Sequence, residues 1–436
     1  MPVDMPPDYT RSRPLAAQSP TLGVCMLAAG VARRLEPISA VIAKPAFPLG
    51  GRIPIAELWV RTFVDAGITS MAMNLHRVPD SIRAYFGDGR RFLADIGYVY
   101  EDAPSGTLGG AIKMLRALHA RGLHPERVFI PSGDIVSGIE TADLERMLYE
   151  HARRGAVFTM MLAPVPWERR GDFGTVVLEG TSPGGDIAPG TFARVLEFLE
   201  KDPRSPSNEN NASNYLVETS LLLELEQHLT EAGTDVSDPC YDFGKHVLRG
   251  IVGGVPHLDW LTRYKRDVYG YEPGRLWFDV GNKRDYLAVN RAVIERRLAV
   301  DLPYARYPWG WLGEDVEIDF NDVRIVPPVV IGNRCTIGAG AEIGPDVVLG
   351  DGWTVFAGAR IRDAVLWPHY NYALTPTSVP HRTGTIREIR EGVHVETAII
   401  VGGVIASHVH AQTVDALPNG RLDVRSIDWI PEGERA

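Results

Sequence analysis

The chain reads as an α/β protein with a mostly parallel sheet, followed by a parallel β-helix. Three features predict this. Strand-like and helix-like segments alternate from Thr21 to about Asp301, a small-residue basic loop follows the first of those strands, and beyond Asp301 apolar residues return every six positions. The expected organisation is an N-terminal arm over 1–20, an α/β domain over 21–301, and a repeat domain over 302–436 with an inserted loop and a tail.

Residues 1–20, MPVDMPPDYTRSRPLAAQSP, have no long apolar run and no helical period. They are read as a flexible Pro-rich arm, not a signal peptide. The apolar stretch Leu22–Leu27 predicts the first strand. A helix begins near Pro54 (PIAELWVRTFVDAG), with proline in its first turn, where a missing N–H leaves no bond unmade. Apolar runs at 68–75, 97–100, 127–131 and 156–163 predict further strands, and the patterns at 107–121 and 140–154 predict helices. Such alternation builds a sheet covered by helices on both faces. Ligands of these sheets bind beyond the carboxyl ends of the strands, so the loops that follow strands carry the functional information.

The six-residue repeat runs through Ile325, Ile331, Ile337, Ile343, Leu349, Val355 and Ile361, with Gly332, Gly338, Gly344 and Gly350 directly after four of them. Inward apolar residues with small residues at the corners are the pattern of a parallel β-helix. At three hexads per coil, 325–366 supplies slightly more than two coils. A second patch, VHVETAIIVGGVIAS, has Ile399 and Ile405 six apart, and the Pro- and Thr-rich WPHYNYALTPTSVPHRTGT before it reads as an inserted loop. So short a stack leaves apolar ends, which predicts cover by the other domain or a second subunit, hence a homo-oligomer, dimer or tetramer. His408 and His410 are read as surface or packing histidines, because two residues at period-two spacing do not make a metal site.

Composition narrows the function. With 436 residues, 45 % of them apolar, the chain can build two or three domains with large cores. A formal net charge of −10 argues against a nucleic-acid-binding surface but allows a local basic pocket for an anionic substrate. Cys25, Cys240 and Cys335 are widely spaced with no CxxC, which argues against a disulfide framework or thiolate zinc site and fits a reducing, cytoplasmic compartment. No stretch approaches the length of a membrane span.

Four loops carry candidate chemistry. In LAAGVARRLEPISAVIAKP (27–45), the small residues Ala28, Ala29 and Gly30 let backbone N–H groups approach a phosphate, and Arg33, Arg34 and Lys44 can neutralise it. In EDAPSGTLGGA, Glu101 to Ala111, glycines allow a flat ligand against the backbone, and the helix that follows offers free N–H groups. Asp134, in IPSGDIV, follows a strand at the ligand edge and has the hard oxygens that Mg²⁺ prefers. Asp279, in RLWFDVGNKRDYLAVN, precedes Gly281, and Asp285 is read as the N-cap of the helix leading to Asn290.

These loops resemble those of the sugar-1-phosphate nucleotidyltransferases. Gly30, Arg34, Leu35, Pro37 and Lys44-Pro45 match the G-x-G-T-R-L-x-P-L-T and K-P signature, with Ser39 for its Thr, Ala32 for its second Gly and Arg33 for its first Thr. The Cβ of Ala32 predicts a loop with φ < 0 there, or a displaced loop. Trp277, Asp279, Gly281, Asp285 and Tyr286 match W-x-D-x-G-x-x-x-D-Y. With its β-helix the chain is most similar to mannose-1-phosphate guanylyltransferases and to glucose-1-phosphate nucleotidyltransferases.

The resemblance implies a Rossmann-like nucleotidyltransferase fold with a hexapeptide, left-handed β-helix. It implies transfer of a nucleotidyl group from an NTP, GTP favoured, to a sugar- or cyclitol-1-phosphate. Arg34 and Lys44 would be catalytic, and Leu27, Ala28, Ala29, Gly30, Glu101, Gly106 and Thr107 would bind the nucleotide. Gly174 in DFGTVVL, Glu200 and Lys201 in FLEKDP, and Asn214 would bind the acceptor, with Tyr215 and Leu216 standing where the family has Ala-Gly. Asp134 and Asp279 would hold Mg²⁺. Two alternatives stand beside it: a non-catalytic regulatory or scaffold paralogue, favoured by Ala32 and Arg33, and a bifunctional nucleotidyltransferase/acyltransferase, which needs more coils and a catalytic histidine.

Overall fold

The computed structural model describes residues 22–182, 184–185, 187–233, 241–368, 386–416 and 421–431. The N-terminal arm, Cys240 and most of the inserted loop lie outside the described residues. Strand β1 (Leu22–Met26) belongs to a nine-stranded sheet with β2 (Ser70–Leu75), β3 (Asp95–Tyr100), β4 (Arg127–Ile130), β5 (Phe158–Pro164), β6 (Gly174–Leu178), β7 (Thr191–Glu200), β8 (Glu209–Glu218) and β9 (Val268–Glu272). The order is β3-β2-β1-β4-β8-β5-β9-β7-β6. The half β3-β2-β1-β4 is parallel throughout, as the alternation predicts. Strand β8 then enters antiparallel to β4 and β5, and β7 antiparallel to β9 and β6. Strands β6 and β7 are consecutive and paired, and neighbouring strands joined by a short connection run antiparallel.

Helices α1 (Ile55–Asp65), α2 (Pro79–Phe86), α3 (Gly106–Ala120), α4 (Thr141–Arg154), α5 (Thr219–Glu231) and α6 (Lys283–Ile294) complete the α/β domain. Pro54 is the N-cap of α1. Along β1, Val24 and Met26 face one apolar core with Trp59, Phe63 and Met73, while Cys25 faces another with Leu115 and Val128. A strand buried on both faces is written as a continuous apolar run, which is why β1 is legible.

The β-helix is taller than the hexads suggest. One of its faces is a five-stranded parallel sheet, so it has five coils rather than slightly more than two. It starts at Gly310–Leu312 and continues beyond the insertion through His394–Ile400 and Gly403–Ile405 to Gln412–Ala416. Leu312-Gly313 keeps the pair in the first coil, but the step from Ile318 to Ile325 is seven residues and the insertion breaks the period again, so the hexad count stops short. Antiparallel strands close both ends, Ala305–Tyr307 at the first coil and Leu422–Ser426 at the last.

Ile331, Ile337, Ile343, Leu349, Val355 and Ile361 are buried inside the coils as expected, with Ile325 packed against them. A second row, Val330, Val348, Val365 and Ile399, stands in register on the outside and belongs to the core of the α/β domain, together with Phe47, Tyr286 and Leu302. Trp367 meets the Phe47 ring edge-on with centroids 5.0 Å apart. Arg52 pairs with Asp351 at 2.7 Å, and Arg291 with Asp363 at 2.5 Å and Asp346 at 3.2 Å. The β-helix is thus docked by its side. His410 lies on the surface, its Nδ1 3.3 Å from Glu396. Cys25 and Cys335 are free and buried. Among the described residues no helix is long and apolar enough to cross a membrane.

Candidate active site

A cleft of about 940 Å³ opens at the carboxyl ends of β1 and β4. Leu27, Arg34, Thr107, Asp134, Gly174, Glu200, Lys201 and Asp279 all line it, so one cleft gathers most of the residues singled out in the sequence.

The loop after β1 is fixed from beneath. Leu27 N donates to Pro131 O at 2.9 Å and Ala28 N to Asn74 Oδ1 at 2.7 Å. Ala28 and Ala29 are buried, whereas Gly30 sits at the rim, where an added Cβ would stand 3.8 Å from Asp134 Oδ2. The expectation of φ < 0 at Ala32 is not met. Its φ is 52° and its ψ is 42°, the left-handed conformation that favours glycine, at a cost of roughly 1–2 kcal/mol. Ser39 Oγ at 2.7 Å and Leu35 N at 3.0 Å both donate to Ala32 O and over-determine that turn. Arg34 reaches the cleft, its Nη2 3.0 Å from where a Cβ on Gly281 would stand, while Arg33 is exposed and does not line it.

Lys44 is buried, with Nζ 2.9 Å from Asp134 Oδ2 and 3.4 Å from Asp279 Oδ1. Burial alone would lower its pKa, but the two carboxylates outweigh that and hold it above the ordinary lysine value. What unites the aspartates is a two-strand ladder, Ile135–Ser137 antiparallel to Trp277–Asp279, with Asp279 opposite Ile135. Both carboxylates converge on one cation and remain about a third open to the cleft, at 31 % and 37 %. Hard oxygen donors so arranged fit a divalent cation shared with a phosphorylated ligand.

Asp285 is not the N-cap of α6. Asn282 is, its side chain accepting from Asp285 N at 3.0 Å, because the helix starts early enough for the asparagine to take the cap. Asp285 instead lines the cleft, its pKa raised by burial and then by Asp279.

Glu101 is buried and turned away from the cleft. Its carboxylate accepts from Asn74 Nδ2 at 3.2 Å and Ser105 N at 3.0 Å, bracing the turn that leads into α3. Gly106 opens that helix at φ 71°, and Thr107 Oγ1 donates to Asp242 Oδ2 at 3.2 Å.

At the opposite end, a Cβ on Gly174 would meet Phe198 Cζ at 2.7 Å and Glu200 Oε2 at 2.9 Å, so a larger residue there would displace the tips of both side chains. Burial, then Asp242, raises the pKa of Glu200. Lys201 is exposed at the mouth of the cleft. Asn214 is buried instead of facing the cleft: its Oδ1 accepts from Ser132 N at 3.1 Å and its Nδ2 donates to Ala212 O at 2.8 Å. The cause is a register shift in β8 between Asn211 and Tyr215, with Ser213 at φ 58°. That irregularity aims Asn211, Ser213 and Tyr215 into the cleft and Asn214 under the Asp134 loop.

A family model described as Nucleotidyl transferase matches residues 24–296, which span the whole cleft. The chain belongs to that family. It is similar to the UTP–glucose-1-phosphate uridylyltransferase of Synechocystis sp., 25 % identical over 329 residues covering 73 % of this chain and 76 % of that protein. It is also similar to the glucose-1-phosphate adenylyltransferase of Anaeromyxobacter sp., 26 % identical over 329 residues (69 % and 72 % covered), and to the mannose-1-phosphate guanylyltransferase of Mycobacterium tuberculosis, 28 % identical over 319 residues (73 % and 76 % covered).

This nucleotidyltransferase also carries cleft residues that the sequence reading missed: Arg169, Asp172, Asp242 and Lys245. Asp242 accepts from Gly244 N at 2.8 Å and Lys245 N at 3.1 Å, which fixes its carboxylate beside Thr107. The Asp-x-Gly spacing of YDFGKH is a legible turn signal. Nothing local says that this turn, among many, faces a ligand.

Proposed function

We propose that the protein transfers a nucleotidyl group from an NTP to a sugar- or cyclitol-1-phosphate, releasing pyrophosphate. The observation that carries this reading is the convergence of Lys44, Asp134 and Asp279 in a cleft that holds Arg34 beside them and Glu200 and Lys201 further along. Membership of the family and the sugar-1-phosphate acceptors named for all three relatives support it.

The acceptor phosphate is anionic near neutral pH, so its oxygen attacks the α-phosphorus in line without a general base. The new P–O bond forms as the bond to pyrophosphate breaks, and the leaving group departs as an anion, with no covalent enzyme intermediate. The protein's work is positioning and charge neutralisation. Lys44 neutralises charge gathering on the α-phosphoryl group, and Arg34 the leaving pyrophosphate. Backbone around Leu27–Gly30 and Gly106–Thr107 cradles the nucleotide, with Glu101 and Asn214 stiffening the loops from behind. Lys201 holds the acceptor phosphate, while Gly174 and Glu200 shape the sugar end. Asp134 and Asp279 would hold Mg²⁺, which when bound draws charge from the phosphate oxygens.

The relatives name three different bases, and GTP is the donor favoured by the likeness to guanylyltransferases. Ala32 keeps the glycine-like turn, which weighs against a non-catalytic paralogue. A cytoplasmic location fits the free buried thiols, and self-association is a matter for light scattering. The test is a matrix of NTPs against hexose- and cyclitol-1-phosphates, read by pyrophosphate release with Mg²⁺. One pair should stand clear of the rest. A folded protein that releases pyrophosphate from none of them overturns the reading.

A further inference from the structure

The last described segment of the chain returns to the active site. Strand Leu422–Ser426 pairs antiparallel with Gln412–Ala416, and Ile427 then buries itself in the core of the α/β domain. From that strand Arg425 reaches the phosphate-facing loop, its Nη1 3.4 Å from Glu36 Oε2. Arg77, just after β2, holds the other Glu36 oxygen at 3.2 Å. Glu36 lies two residues after Arg34.

The Arg425 guanidinium stands 4.3 Å from the Trp429 ring centroid, and Lys283 Nζ stands 5.1 Å from the same ring. Lys283 is the first residue of α6 and fully buried, and its ammonium has no hydrogen-bond partner among the described residues; the Trp429 ring and the charges of Glu36, Asp423 and Asp428 offset its burial. Beside it, Arg284 Nη2 pairs with Asp428 Oδ2 at 2.6 Å. One short segment therefore grips both sides of the cleft: the loop that carries Arg34, and the helix start that follows Asp279 and carries Asp285.

We propose that residues 421–431 are a positioning element of the active site, in which Arg425 acts through Glu36 to hold Arg34 at the nucleotide and Trp429 acts through Lys283 to hold the Asp279–Asp285 turn. The loop needs an outside brace. Its regular structure is three short 3₁₀ turns, Arg33–Leu35, Ile38–Ala40 and Lys44–Ala46, with strain at Ala32, and Arg34 itself is exposed. A site is only as well placed as the residues that lock it, and a shift of about 1 Å can cost on the order of a hundredfold in rate. The inference rests on the transfer reading given above, and it gives a positioning task to a segment that follows five coils of β-helix.

The test compares Arg425→Ala and Arg425→Lys with the parent in the full-length protein. Arg425→Ala should raise the NTP KM about tenfold and lower kcat, leave the acceptor KM within about twofold, and unfold within a few degrees of the parent, since only the nucleotide side is released. Arg425→Lys should recover most of the loss. Unchanged kinetics, or equal rises in both KM values, overturns the proposal. Should the parent turn over no substrate pair, the transfer reading fails by itself, and calorimetric NTP binding takes the place of kinetics. A weaker NTP Kd in Arg425→Ala then sustains the positioning role, and equal Kd values, or no NTP binding by the parent, sinks it.

Discussion

Replacing Lys44 by methionine should destabilise the metal-free protein and, at the same time, make it more responsive to a divalent cation. The ammonium stands 2.9 Å from one aspartate and 3.4 Å from another. At an effective dielectric constant of about 20, each separation corresponds to roughly 5–6 kcal/mol of attraction before desolvation. Removing one partner of a buried ion network costs about 3–5 kcal/mol net. Both carboxylates are about a third exposed, at 31 % and 37 %, and water screens part of that, so a loss of about 2–3 kcal/mol is expected. Because the folded pKa of Lys44 lies above its ordinary value, its contribution is fully present below the ordinary lysine range and is lost only as pH rises through the folded value. The stability loss on substitution should accordingly be the same at pH 6 and pH 8. Methionine preserves the volume, so the aspartates remain convergent with no cation between them, and Mg²⁺ should raise the melting temperature of the variant more than that of the parent. Turnover should fall by about 10²–10³-fold. Thermal unfolding with and without Mg²⁺ at constant ionic strength measures the first effect, and initial rates the second. Equal Mg²⁺ responses in parent and variant, with no loss of metal-free stability, would refute the shared-cation geometry.

Asp134→Asn and Asp279→Asn should each leave the protein folded and reduce turnover to near background, because each removes one hard anionic ligand. Near-parental rates at limiting Mg²⁺ in both variants would contradict this. Glu200 has a pKa raised by burial and then by Asp242, so its ionised form destabilises the fold above that pKa, and the penalty is relieved as pH falls. Glu200→Gln should therefore be at least as stable as the parent at neutral pH, and should flatten an acid limb in acceptor KM that lies above the ordinary carboxylate range; an unaltered pH profile counts against Glu200 at the acceptor. Truncation after Asp301 should yield an aggregated or strongly destabilised fragment, because Phe47 and Tyr286 lose the Val330–Val348–Val365–Ile399 row, at about 1.5–3 kcal/mol for each large side chain uncovered. A monodisperse fragment with the parental melting temperature would show that the docked face is dispensable.

The parallel half of the sheet was legible because strands buried on both faces are written as apolar runs, and β1 is the clearest of them. Residue identities also pointed to Lys44, Asp134 and Asp279, but their meeting depends on the ladder between Ile135–Ser137 and Trp277–Asp279, which no spacing along the chain encodes. Side-chain direction was the weak point. The irregularity between Asn211 and Tyr215 turns Asn214 inward, and Glu101 is consumed by Asn74 and the backbone of Ser105. The hexads exposed the interior of the β-helix but hid its outer row, since Val330 and Val348 are as apolar as their neighbours and only docking explains them. Arg425 was invisible as a neighbour of Glu36, because an ion pair across most of the chain leaves no local pattern.

Direct transfer in the cleft around Lys44, Asp134 and Asp279 is measured most directly by pyrophosphate release from the parent and from Asp279→Asn, with the best substrate pair and with the sugar phosphate omitted. The parent should release pyrophosphate only when both substrates are present, and the folded variant should do so at a rate lower by about two orders of magnitude or more. Release without the acceptor, or release that survives the substitution, would contradict it.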